Sequence, residues 1–155
     1  MAALGDLRSD GGVVRIIDLG SGGGVPGLVI AHDLPEAQVV LLDRRSKRTD
    51  FLERMVRRLG WTDRVRVICG EAERAVDDQA HAFDAAVARG FGPPSFTLRI
   101  GAGLVRSGGR IVISEPPDGD RWDPTLLAKI GVRRLESPGH SPDVAARVVC
   151  FGTLD

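Results

Sequence analysis

The chain has 155 residues, 43% of them apolar and 27% charged, and its 21 basic and 21 acidic side chains cancel. That length points to one domain that buries roughly 70% of its unfolded surface and needs neither disulfides nor a structural metal. Zero net charge with five Phe, two Trp and no Tyr excludes a strongly electrostatic nucleic-acid binder with extensive base-stacking platforms, but not a local basic face.

Residues 1–12 are small, polar and glycine-containing and read as a loose lead-in; 13–155 read as a single domain. Val13 to Leu19 is a first strand, with an acid at Asp18. A glycine-rich turn follows, and then a helix over Pro26 to His32, with Pro26 in its first turn. Gln38 to Asp43 is a second strand, also closed by an acid. Ser46 is placed to cap a helix over Lys47 to Leu59, whose apolar Phe51, Leu52, Met55, Val56 and Leu59 share one face, and Gly60 stops it.

Val65 to Cys69 is a third strand and Glu71 to Val76 a short helix. Phe83 to Ala88 is a fourth strand with Arg89 at its end. Pro93 to Val105 holds a short, glycine-broken helix. Gly108-Gly109 reads as a turn before a fifth strand over Arg110 to Ser114. Asp123 caps a helix with Pro124 in its first turn, running to Ile130. Gly131 to Leu135 and Ala145 to Phe151 are two last strands, joined by a loop with Pro138, Gly139 and Pro142.

Alternating strands and helices mean a mostly parallel α/β sheet covered on both faces. The last two strands lack a crossover helix, so one of them runs antiparallel. Cys69 and Cys150 sit in apolar runs and are expected to be reduced core thiols. No apolar run reaches the ~18 residues of a membrane span, and no signal-peptide layout is present, so the default location is cytoplasmic. His32, His81 and His140 show no metal-ligand spacing, and no metal is expected.

The stretch from Asp18 to Gly27 carries the chemistry. Its glycines let backbone approach a ligand, and amides at the following helix start would face it. Two templates fit. Gly22-x-Gly24-x-x-Gly27 matches a dinucleotide fingerprint, but begins two residues after the strand ends. Gly20-x-Gly22-x-Gly24, preceded by Asp18, begins right at the strand end. In that register it resembles the first motif of class I S-adenosylmethionine-dependent methyltransferases. A carboxylate there attracts a sulfonium and an amino group and would repel a pyrophosphate. Asp43 can accept hydrogen bonds from ribose hydroxyls, which serves either cofactor.

A narrower likeness lies in Asp18-Leu19-Gly20-Ser21-Gly22-Gly23-Gly24-Val25-Pro26-Gly27. It resembles the D-x-G-[ST]-G-x-G-x-P-G signature of the glucose-inhibited division protein B (RsmG/GidB) family, bacterial 16S ribosomal RNA guanine-N7 methyltransferases. The likeness continues through Leu41-Leu42-Asp43, Lys47-Arg48, Phe51-Leu52, Ala72-Glu73, Phe83-Asp84 and Ala88-Arg89-Gly90-Phe91. It implies the class I S-adenosylmethionine-dependent methyltransferase (Rossmann-like) fold, a mostly parallel seven-stranded sheet with one antiparallel strand. It also implies that Gly20 and Val25 line the methionine and adenosine pocket, with Asp18, Gly22 and Gly24 in the same motif. Asp43 would hold the ribose, and Ala72 and Glu73 would flank the adenine. Arg89 would reach the cofactor carboxylate or a substrate phosphate.

Three departures stand out. The family's N-terminal helical segment is largely absent. Glu115-Pro116 stands where the family has a lysine-glycine pair. Glu71 stands where it has an arginine. Two basic substrate-side positions are thus acidic. Among the basic residues from Arg44 to Arg66, Arg44 and Arg45 follow Asp43 directly on the ligand edge and are the better candidates for RNA phosphate.

Guanine N7 offers a lone pair without a proton, so methyl transfer to it needs positioning and water exclusion rather than a general base. The leading expectation is an S-adenosylmethionine-dependent methyltransferase acting at N7 of a guanine in 16S ribosomal RNA, with ribosomal RNA or the small ribosomal subunit as partner. The alternatives are a small-molecule methyltransferase of the same fold, a non-catalytic S-adenosylmethionine-binding protein, and a nicotinamide oxidoreductase.

Overall fold

The β-branched pair Ile16-Ile17 shows how the architecture arises. Ile16 packs to one side of the sheet with Val39, Leu41, Ala85 and Val87, under Leu52 and Val56. Ile17 packs to the other side with Val40, Leu42, Ala86 and Ala88, under Leu98 and Leu104. Successive side chains of a strand point to opposite faces, and both faces here are covered by helices, so the strands are apolar almost throughout. In the computed structural model, which describes residues 4, 7, 12–115, 121–136 and 147–154, these two layers enclose one sheet.

The elements run β1 (Arg15–Leu19), α1 (Gly27–Asp33), β2 (Gln38–Asp43), α2 (Ser46–Leu59), β3 (Val65–Cys69) and α3 (Ala72–Gln79). They continue with β4 (Phe83–Arg89), α4 (Pro94–Leu104), β5 (Val105–Glu115), α5 (Pro124–Ile130), β6 (Val132–Leu135) and β7 (Arg147–Thr153). The seven described strands are ordered β3-β2-β1-β4-β5-β7-β6. β1 pairs in parallel with β2 and β4, β2 with β3, and β4 with β5. β7 is antiparallel to both β5 and β6, which is the single reversed strand expected. The order reverses at β1, so the carboxyl ends of β1 and β4 flank the crevice where open α/β sheets bind ligands.

Several local expectations need correction. Ser46 does not cap α2: it is the first helical residue, Arg45 holds the cap position in extended geometry, and no side-chain cap bond forms. Gly60 does end that helix, in the left-handed region at φ 71°. The glycines of α4 do not break it. Gly101 brings the helix against β5, where a Cβ would come 2.9 Å from Ile111, and Gly103 brings it equally close to Val76. Gly108-Gly109 is not a turn before β5 but part of it. The strand starts at Val105, and the β4–β5 register shifts between Phe83 and Ala85 to absorb the extra residues.

α3 runs on to Gln79, with Glu71 as its cap residue. β1 begins at Arg15 rather than Val13. β7 spans Arg147–Thr153; the expected start at Ala145, the preceding proline-containing loop, Pro116 and nearly all of the lead-in lie outside the described residues. Cys150 is buried as expected, whereas Cys69 is exposed, because β3 is an edge strand and Cys69 lies at its carboxyl end. No described helix is long and apolar enough to cross a membrane.

Candidate functional site: a cleft at the carboxyl ends of the strands

The turn after β1 is built from its own amides. Those of Gly20 and Ser21 both donate to the Leu42 carbonyl, at 2.8 and 3.0 Å, so the chain stays tied to β2 as it leaves the sheet. The Gly24 amide then closes back on the Ser21 carbonyl at 2.7 Å. Gly20 and Gly22 take φ of +70° and +56°, which side chains rarely adopt, and a Cβ on Gly20 would meet the Phe91 ring at 2.9 Å.

The two acids that close the strands anchor this turn in different ways. Asp18 is fully buried, and its Oδ2 accepts from the Gly27 amide at 3.0 Å, fastening the start of α1 to the end of β1. Its Oδ1 is buried with no partner among the described residues. Burial pushes its carboxyl up from 3.8 to about 6; the nearby Ser21 hydroxyl, which donates to the Asp18 backbone carbonyl at 3.0 Å, the Gly27 amide and the charge of Arg89 oppose that rise, and Asp43 adds to it. Asp43 is 4% exposed. Its Oδ2 accepts from the Gly22 amide at 2.9 Å, and its Oδ1 from the Arg45 amide at 3.0 Å. Arg48 Nη1 lies 3.5 Å from the same Oδ2.

Two adjoining lobes open over these groups. One, of about 290 Å³, is lined by Gly20, Asp43, Arg44, Arg45, Ala72 and Glu73, with Phe91 and Phe96 opposite. The other, of about 430 Å³, is lined by Gly20, Gly22, Val25, Lys47, Phe51 and Arg89. Gly20, Arg48 and Gly90 border both, so the lobes form one cleft. A larger cavity of about 480 Å³ lies at the opposite edge of the sheet, beside Arg15, Gln38 and Val65 at the strands' amino ends.

The structure therefore brings nearly all of the expected site residues to one place. Asp18 and Gly24 are not on the cleft wall: Asp18 lies beneath the turn, and Gly24 packs against Leu28. Sequence reasoning assigned no site role to Arg48, Phe91 or Phe96. Arg48 lies in the first turn of α2, five residues beyond Asp43, and its side chain reaches back to the strand end. Phe91 and Phe96 stack at 5.6 Å between centroids, an arrangement made between the loop after β4 and the first turn of α4 and carrying no spacing signal in the sequence.

The two acidic departures have different fates. Glu71 is exposed and lines the first lobe. Glu115 is no surface acid: its side chain is 1% exposed, and it holds Arg121 and Arg147 at 3.0 Å each. Among the described residues no group of three or more His, Cys, Asp or Glu side chains is placed to hold a metal ion.

A family profile described as rRNA small subunit methyltransferase G, GidB, matches residues 5–115. The chain belongs to this family. It is 44% identical over 92 residues to the ribosomal RNA small subunit methyltransferase G of Rhizorhabdus wittichii, covering 59% of this chain and 41% of that relative. The chain thus spans less than half the length of this family member. Among solved structures, an O-methyltransferase family protein from Burkholderia thailandensis superposes with a TM-score of 0.74 at 13% identity, covering 99% of this chain and 53% of that one. The [4+2]-cyclase SpnF superposes at 0.64 with 26% identity, covering 81% of this chain and 54% of that one. The fold is that of class I methyltransferases. The cyclase shows that likeness of fold alone leaves the reaction open, whereas the family match extends through the glycine turn, Asp43, Arg89 and Phe91.

Proposed function

We propose that this chain is an S-adenosylmethionine-dependent methyltransferase acting at N7 of a guanine in 16S ribosomal RNA, with the small ribosomal subunit as partner and the cytoplasm as location. One observation carries the reading: the family's glycine turn stands at the carboxyl ends of the strands, with Asp43 on one wall of the cleft and Arg89 on another.

The residues present fit this cofactor. Asp43 holds Oδ2 with the Gly22 amide and Arg48, whereas Oδ1 accepts from the Arg45 amide alone and keeps a lone pair for a ribose hydroxyl. Asp18, buried beneath the turn, fastens the start of α1 to the end of β1 and so fixes the shape of the pocket floor. Ala72 and Glu73 flank the adenine, and Gly20, Gly22 and Val25 give the backbone wall. When bound, S-adenosylmethionine supplies a methyl group activated by a sulfonium. The chain's own work is to orient the two reactants in line and keep water out. Guanine N7 presents a lone pair and no proton, so no side chain would need to remove one. Arg89 binds the cofactor carboxylate or an acceptor phosphate, and the exposed Arg44 and Arg45 hold RNA phosphates beside the first lobe.

A second reading, a small-molecule acceptor, is favoured by Glu71, an exposed acid in the cleft that would repel RNA phosphate. The test is transfer of labelled methyl from S-adenosylmethionine to small ribosomal subunits lacking the N7 modification. Label on the ribosomal RNA supports the first reading. Cofactor binding without label on the RNA contradicts it.

A further inference from the structure

A buried acid with two arginines stands beside the cleft, and the proposed chemistry does not use it. Glu115 is the last residue of β5. Its Oε1 accepts from Arg121 Nη2 and its Oε2 from Arg147 Nη2, each at 3.0 Å. The two arginines come from different parts of the chain, 6 residues beyond Glu115 just ahead of α5 and 32 residues beyond it at the start of β7, and among the described residues the carboxylate is what brings them together. Side-chain exposure is 1% for Glu115, 45% for Arg121 and 23% for Arg147. One carboxylate cannot neutralise two guanidinium groups, so among the described residues the cluster keeps a net positive charge. Each guanidinium has five donors and gives one to each bond with Glu115.

The strand register fixes where this cluster faces. Arg89 pairs with Ser114, Ser114 with Val148, and Glu115 with Arg147. Neighbouring strands lie about 4.8 Å apart, so Glu115 and Arg147 stand one and two strands across the sheet edge from Arg89. β7 is reversed, which puts its first residue at the edge where the parallel strands end. Arg44, Arg45 and Arg48 extend the same edge on the far side of the turn. Holding two guanidiniums together costs Coulomb repulsion and the desolvation of a carboxylate. An anion shared between them relieves the repulsion, and the planar fork of arginine suits the oxygens of a phosphate.

We propose that Glu115 is a positioning residue that holds Arg121 and Arg147 as a binding pair for a backbone phosphate of the RNA acceptor, outside the methyl-donor pocket. This rests on the RNA-methyltransferase reading above. The test uses the 155-residue chain and an unmodified 16S ribosomal RNA transcript, with KM, kcat and the salt dependence of binding measured beside the dissociation constant for S-adenosylmethionine. Arg121→Gln raises KM for RNA about tenfold. It also lowers the slope of log K against log salt by about 0.7, one single-strand phosphate contact. kcat and cofactor affinity stay unchanged, and Arg121→Lys recovers most of the slope. Glu115→Gln raises KM for RNA in the same way while leaving cofactor affinity intact. An unchanged KM and slope in Arg121→Gln overturn the proposal, as does an equal loss of cofactor affinity, which marks a cluster that only holds the fold. A wild-type chain that binds no RNA overturns the underlying reading and this inference with it.

Discussion

The Asp18 carboxyl titrates at about 6 because burial strips water from its charged form, and its bond to the Gly27 amide does not fully compensate. Folding therefore tightens proton binding at this site. The stabilisation it brings is fully present below the unfolded value of 3.8 and is lost as the pH rises through about 6. The loss amounts to about 3 kcal/mol across that window. Asp18→Asn keeps an acceptor for the Gly27 amide and removes the titration. Urea unfolding of both proteins should show the stability of wild type relative to Asp18→Asn falling by about that amount between pH 4 and pH 7. A difference that stays constant with pH would show that Asp18 does not titrate with folding. Asp18 was visible in the sequence as a strand-closing acid. That it ties β1 to α1 from beneath the turn was not, because the contact depends on the backbone returning nine residues later.

At the scale of elements, glycine is where sequence and structure part. In β5, Gly109 sits where a Cβ would come within 2.7 Å of the Asp84 carbonyl and collide with Val105. A glycine pair reads as a turn from the sequence, since nothing there shows that another backbone approaches. Gly109→Ala should therefore cost about 2 kcal/mol or more in urea unfolding, through the β4–β5 pairing. A change within 0.5 kcal/mol, the usual size for an exposed position, would count against that approach. By contrast, β2 and β3 have the bounds that their sequences predict, Gln38–Asp43 and Val65–Cys69: β2 is an unbroken apolar run buried on both faces, and β3 is a short β-branched run at the sheet edge. The capping of α5 was equally legible: the Asp123 side chain accepts from the Thr125 amide at 2.8 Å.

At the scale of the molecule, the net charge of zero conceals a charged edge. Arg44, Arg45, Arg48, Arg89, Arg121 and Arg147 all come to the side of the sheet where the parallel strands end. Asp43, Glu71, Glu73 and Glu115 share that edge, whereas Asp84, which pairs with Arg106 and the Arg15 amide, lies toward the opposite one. Composition averages over these positions, and only the strand order shows which charges meet at the cleft. Arg44→Glu should weaken binding to ribosomal RNA and lower its salt dependence while leaving S-adenosylmethionine affinity unchanged. Equal RNA affinity and salt slope in the two proteins would remove Arg44 from the interface. The buried Glu115 makes the same point: read as a residue, it is an acid on a substrate-facing edge, yet in place it gathers two cations.

The central claim is that the cleft over the glycine turn holds a methyl donor, with Asp43 on its ribose. Calorimetric titration of the wild-type chain and of Asp43→Ala, each with S-adenosylmethionine and with NAD, tests this most directly. The account predicts binding of S-adenosylmethionine by the wild type, a loss of about tenfold or more in Asp43→Ala, and no binding of NAD. Preference for NAD, or S-adenosylmethionine affinity that Asp43→Ala leaves untouched, would contradict it.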